Sequence, residues 1–153
     1  MAGNDFSGLQ GLLEIFKREA GDVSKITFVG SQGLCTPFSE FLAFGVNDKE
    51  THFVPFVNFD DCHEFELKSC GLSLKDEVSD PSESDIVVLM GGLAMSDFNV
   101  DVNDVKALVK KILKKDGRLF GVCFMDMFAD FGWLDELDFD CVIDGTLITM
   151  VKK

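Results

Sequence analysis

Residues 25–44, KITFVGSQGLCTPFSEFLAF, read as a strand, a tight turn and a helix, and the chain is organised around that unit. Lys25 to Val29 is short and rich in β-branched and aromatic residues. Gly30 and Gly33 free the backbone to turn sharply. Thr36-Pro37 supplies a capping hydroxyl followed by proline at the first helical position, which places a helix over 37–46. A strand that feeds a helix in this way presents backbone N–H groups at one edge of a sheet, the edge at which open α/β sheets bind ligands.

The remaining segments supply partners for that unit. Apolar residues at Phe6, Leu9, Leu12, Leu13 and Phe16 predict an amphipathic helix from Asp5 to Ala20, stopped by Gly21. His52 to Val57 predicts a second strand. Pro55 lacks a ladder donor, which puts this strand at a sheet edge or at a bulge. Residues 58–84 are harder to assign, because Asp60, Asp61, Glu64 and Glu66 interleave with Cys62, Phe65 and Leu67 at spacings that suit helix and strand alike. The reading adopted is a short helix, then a polar connector with one short strand at Leu72 to Leu74. Asp85 to Met90, DIVVLM, is unbroken and apolar, as expected of a central parallel strand covered on both faces. Gly91-Gly92 ends it.

Asp101 or Asn103 caps a helix through Lys115 whose buried stripe is Val105, Leu108, Val109, Ile112 and Leu113. Lys106, Lys110, Lys111, Lys114, Lys115 and Arg118 fall in or just after that helix, on the faces opposite the stripe, and form a solvated outer surface. Arg118 to Phe124 predicts a strand, Asp126 to Phe131 a short helix, and Phe139 to Ile143 a last parallel strand. Asp144-Gly145 predicts a hairpin that returns Thr146 to Val151 antiparallel along the edge. The alternation of strands and helices selects a single α/β domain over residues 1–153. Its expected form is a three-layer Rossmann-like or flavodoxin-like sandwich with a mostly parallel sheet of about five strands.

Charge and composition narrow the function classes. The chain has 14 Lys+Arg against 27 Asp+Glu, a net charge of -13, and a pI near 4.4. That balance opposes attraction to phosphate backbones and to anionic membranes, so no nucleic-acid partner and no membrane partner are expected. The longest uncharged apolar run, Ile86 to Met95, falls well short of the roughly 18 to 20 residues of a spanning helix. MAGNDFSG has neither a basic nor an apolar leader region. Five cysteines, none in a C-x-x-C pair, signal neither a zinc site nor a complete disulfide set and fit a reducing cytoplasm; no metal is expected. Sixteen Phe with no Tyr predict a core of rings without hydroxyls. So Phe-rich a chain of this size is expected to leave apolar surface that a homodimer would cover.

The carboxyl ends of the strands share one edge, and the residues just past them are Ser31, Gln32, Gly33, Cys35 and Thr36, then Gly91, Gly92 and Met95, then Cys123, Met125 and Asp126. From these, Ser31, Gln32, Gly33, Cys35, Thr36, Gly91, Gly92, Met95 and Asp126 form the expected ligand site. Within it, Gly33, Cys35, Thr36, Gly91, Gly92 and Asp126 are expected to line one pocket. The turn SQGLCTP has the form of an anion cradle without matching the P-loop or dinucleotide fingerprints, and no lysine is placed to reach a phosphate. Two readings stand. In the first, the chain is a binding or regulatory module for a small anionic metabolite or nucleotide. In the second, it is a small enzyme with Cys35 as nucleophile, assisted by His63 or Asp126. His52 lies at the far edge, ~15 Å away by strand rise, so only His63 is eligible among the histidines. A phosphatase-type C-x5-R loop is excluded, since Phe41 stands where the arginine would be. The missing base favours the module, and its cofactor is undetermined. Flavin is discounted, because Tyr is absent and Trp133 follows a helix away from the edge.

The stretches VGSQGLCTPFSEFLAF, VVLMGGLAM, GVCFMDMF and VIDGTL resemble, over nearly the whole chain, a family of small uncharacterised proteins found mainly in methanogenic archaea and known as a domain of unknown function. The resemblance implies a cytoplasmic archaeal protein. It brings no activity and no catalytic residue with it.

Overall fold

The computed structural model describes residues 6–153. Its elements run α1 Gly8–Ala20, β1 Lys25–Gly30, α2 Cys35–Gly45, β2 Glu50–Pro55, β3 His63–Lys68, β4 Gly71–Val78, β5 Ser84–Met90, α3 Val102–Ile112, β6 Leu113–Phe124, α4 Met127–Asp130, α5 Trp133–Glu136 and β7 Cys141–Gly145. Asp5, where the sequence pattern starts the first helix, lies outside the described residues. The strands form one sheet in the order β4-β3-β2-β1-β5-β6-β7. β2, β1, β5, β6 and β7 are parallel, and β3 and β4 are antiparallel.

Alternation along the strands builds the two cores. Ile26, Phe28, Ile86, Val88, Met90, Phe120 and Val122 face α1 and α2, whereas Val29, Val87, Leu89, Leu119 and Cys123 face α3, α4 and α5. The central strand β5 is buried on both faces because helices cover both. Rings carry much of the first core. Phe16 packs on Phe28 at 5.8 Å between centroids and edge-on to Phe120 at 6.5 Å, geometries that add to area burial.

Several expectations are corrected. The sheet has seven strands rather than about five. The expected short strand at Leu72 to Leu74 lies within β4, whereas the expected helix before it is instead a 3-10 turn, Phe59–Asp61, followed by β3, which pairs with β4 as a hairpin. In HEFELK, Phe65 is buried against Phe28 and Phe53 while Glu64 and Glu66 take the other face, so the period is two. Gly71, at φ 121°, permits the tight return.

The hairpin also moves β2 from the edge to the interior. Pro55 is tolerated there because β3 pairs with β2 only at His52 and Phe53, so no partner on that side requires its missing N–H. The third helix ends at Ile112 rather than Lys115, and β6 starts at once with Leu113. The last parallel strand runs Cys141–Gly145, and residues 146–153 form no strand. Asp144 and Gly145 continue the ladder opposite Cys123 and Phe124 instead of turning, which removes the expected hairpin. α5 was not expected, and it buries Trp133 in a stack on Phe128.

Candidate functional site

The β1–α2 turn is held from inside. Ser31 is buried, and its carbonyl accepts the Cys35 N–H at 3.0 Å. Gly33 sits at φ 85° with open space where a Cβ would lie, a conformation that glycine adopts without penalty. α2 starts at Cys35, so Thr36 is not its cap; the Thr36 Oγ1 instead accepts the Gly33 N–H at 3.4 Å. The residue before the helix, Leu34, makes no capping bond, and no acidic side chain occupies the first turn. The positive end of the helix dipole is therefore uncompensated.

Beside this turn lies a groove of about 550 Å³ at the carboxyl end of β1 and β2. One wall is Gln32, Gly33, Thr36, Pro37 and Glu40, and the floor is Phe53 and Pro55. The opposite wall comes from the hairpin region through Asp61, His63, Leu74, Lys75 and Asp76. His63 is fixed by two acceptors, the Lys75 carbonyl at 2.8 Å from Nδ1 and the Asp61 Oδ1 at 3.1 Å from Nε2. Burial works against its charge, but the Asp61 carboxylate and the Lys75 carbonyl outweigh burial and raise its pKa. Lys75 pairs with Glu64, which raises the pKa of the ammonium. The groove thus holds an imidazole that readily takes a proton, together with the carboxylates of Glu40, Asp61 and Asp76, while the Lys75 ammonium is drawn to Glu64 on the other face of the sheet.

The other expected residues lie elsewhere. Cys35 is buried with its Sγ 3.2 Å from the Ser31 Oγ, and burial raises its pKa against the lowering effect of Ser31. It packs on Gly30 and Gly92. Gly91 is closed off by Cys123, whose Cβ occupies the space that a Cβ on Gly91 would need. Both glycines belong to the 3-10 turn Gly91–Ala94, which Met95 ends. Asp126 follows β6, on the far side of β5 from the groove. It is left-handed at φ 58°, and its N–H donates to the Asp144 Oδ1 at 2.9 Å. Of the expected ligand residues, Gln32, Gly33 and Thr36 share the groove, and the catalytic candidate His63 joins them. Ser31, Cys35 and Gly92 share a closed contact, Gly91 is closed by Cys123, and Asp126 pairs with Asp144. Sequence reasoning missed Glu40, Phe53, Lys75 and Asp76; the two-residue alternation of HEFELK and LSLKDEV was the available signal for the hairpin pair.

Residues 7–148 match a family described as uncharacterized protein conserved in archaea, DUF2124. The chain belongs to this family. An uncharacterized protein of Methanothermobacter thermautotrophicus is 41% identical over 143 residues, covering 94% of this chain and 92% of its own length. One from Methanocaldococcus jannaschii is 36% identical over 141 residues, covering 91% and 86%. The fold is also similar to a crystal structure of a protein of unknown function from Methanothermobacter thermautotrophicus, with a TM-score of 0.92 at 38% identity, covering 100% of this chain and 97% of that one. This DUF2124 member therefore shares its fold and most of its length with methanogen relatives. Among its described residues, no helix is long and apolar enough to cross a membrane.

Proposed function

We propose that the chain is a small-molecule binding module, with a Rossmann-like use of its sheet, that holds an anionic metabolite or nucleotide in the groove between the β1–α2 turn and the β3–β4 hairpin. The supporting observation is the convergence on one groove of an uncapped helix N-terminus, Gly33 without a side chain, the Thr36 hydroxyl and the His63 imidazole. The turn backbone and the Thr36 hydroxyl can donate to or sit close against an anionic group, and a protonated His63, its two nitrogens held by Lys75 and Asp61, adds positive charge beside it. Glu40, Asp61 and Asp76 on the same walls oppose a large unpaired anion, so a ligand with one anionic group and a neutral or cationic remainder fits better than a bare triphosphate. The five free thiols fit a cytoplasmic location.

The alternative, Cys35 as a nucleophile helped by His63 or Asp126, has no contact in its favour. The thiol bonds to Ser31, and both ring nitrogens of His63 have other partners. The test is calorimetric titration of mononucleotides, amino acids and small carboxylates into the purified chain, alongside a Thr36→Glu variant. Saturable heat that Thr36→Glu abolishes is the expected result. Equal binding by both proteins would place the ligand elsewhere and end the reading.

A further inference from the structure

The sheet face opposite the groove carries a second cluster of polar side chains, on β2 and β3. Glu50 and His52 are two residues apart on one strand and so share a face, and Glu64 stands directly across from His52 in the antiparallel pair. One donor atom from each of the three lies within 4.8 Å of the others. We propose that Glu50, His52 and Glu64 bind a divalent transition-metal cation of the zinc type.

The chemistry of the donors supports this class. An imidazole with two carboxylates is a borderline-hard set that suits zinc and its neighbours, and three protein donors leave a position open for water or substrate. The supporting shell points the same way. His52 is 3% exposed, and its Nδ1 lies 2.7 Å from the Ser79 Oγ, outside the donor cluster. With a cation on Nε2 in place of its present hydrogen bond to Glu50, the Ser79 hydroxyl can accept the Nδ1 proton and orient the ring, the role outer partners play at histidine metal sites. The His52 Nε2 is already 2.9 Å from the Glu50 Oε2.

Two lysines hold this pair of carboxylates when no cation is bound. Lys25 reaches Glu50 at 3.3 Å and also donates to the carbonyls of Asp80 and Ser82, so it keeps partners on giving up Glu50. Lys75 pairs with Glu64 from a partly exposed position and can turn to water. A doubly charged ion among two carboxylates and a neutral imidazole replaces both contacts at once.

Zinc chloride titrated into the metal-free chain by calorimetry tests the proposal. The background is Cys70→Ser, because that exposed thiol is the competing zinc ligand. One zinc per chain is expected. Ser79→Ala should weaken it about 10- to 100-fold, and Glu64→Gln should weaken it at least as much. Glu64 is partly exposed, so its variant stays informative if His52→Gln fails to fold. Failure of zinc to bind, loss of binding with Cys70→Ser alone, or binding unchanged in Glu64→Gln would each overturn the assignment. The groove ligand lies on the other face, so a Thr36→Glu protein that still binds zinc separates the two sites.

Discussion

A Cβ on Gly92 would lie 2.6 Å from the Sγ of Cys35. Cysteine and glycine therefore form one packed contact at the rim of the sheet, and the same is true of Gly91 with Cys123. The obstacles differ. Position 92 meets side-chain atoms, of Cys35, Leu34 and Ser31, whereas position 91 also meets the Cys123 Cα, at 2.9 Å. Side chains can shift and backbone cannot. Gly91→Ala should cost about 1–3 kcal/mol of overpacking and Gly92→Ala less. Urea denaturation of both variants checks the order, and equal stabilities would contradict the packing role.

The same contacts make thiol chemistry predictable. Burial pushes Cys62 and Cys123 up to about 11 and raises Cys35, in each case because the thiolate would lose its water. Ser79 and Ser31 only partly offset this for Cys62 and Cys35. Cys70 is exposed. Iodoacetamide at pH 8, read by peptide mass spectrometry, should modify Cys70 first, with Cys35, Cys62 and Cys123 reacting only after unfolding. Rapid labelling of Cys35 in the native chain would revive the nucleophile.

Asp126 and Asp144 are paired like charges. The Asp144 carboxylate raises the pKa of Asp126. A carboxyl whose folded pKa exceeds its unfolded value contributes stability that is complete below the unfolded pKa. That contribution is lost as pH rises through the folded pKa. At neutral pH the repulsion is fully present. Asp126→Asn should then be more stable than the parent at pH 7, with the gain disappearing below the ordinary carboxylate range near 3.8. The left-handed backbone at position 126 accepts asparagine without strain. Thermal melts at pH 7 and pH 3 supply the comparison; a gain that persists at pH 3 would mean that repulsion is not the cause.

How far the sequence was readable follows from which forces are local. The β1–α2 unit and β5 were visible because their hydrophobic runs and turn residues lie within about ten residues of one another. The β3–β4 hairpin was not, since the rings of Phe28 and Phe53 that bury Phe65 lie outside the segment, and short mixed segments leave the period open. That one misreading also hid the second wall of the groove and left Pro55 to place β2 at the edge. At the other end, Asp144-Gly145 had the residue types of a turn, but pairing with β6 overrode them. The glycines after β5 were legible as close approach, though what approaches them is two cysteines, Cys123 at Gly91 and Cys35 at Gly92.

Self-association has a specific surface to test. Leu147, Ile148, Met150 and Val151 are all exposed in the segment after β7, next to exposed Val142 on the edge strand. Apolar surface of this kind is what a second copy would cover. Light scattering at micromolar concentration should report a dimer, and a chain ending at Gly145 should report a monomer. A monomeric full-length chain would remove the expectation.

Asp85 ties together the starts of three parallel strands. Its carboxylate accepts the N–H groups of Ser24 and Lys25, both at 2.9 Å, and pairs with the Lys114 ammonium at the start of β6. Burial alone would raise its pKa, but Lys114 and the two N–H groups outweigh burial and hold it below the usual value. The sign is therefore opposite to that of Asp126: the contribution is present above the ordinary carboxylate pKa and is lost as pH falls through the lower folded one. Hydrogen bonds to a charged group of this type are worth about 1.5–3 kcal/mol, so Asp85→Ala should destabilise by that order at pH 7. Asp85→Asn keeps the shape and one acceptor and should recover part of the loss. Denaturation at pH 7 and at pH 2.5 checks both, with the parent and Asp85→Asn expected to converge at the acid end. A difference between them that is the same at both pH values would mean that the Asp85 charge does not tie the strands.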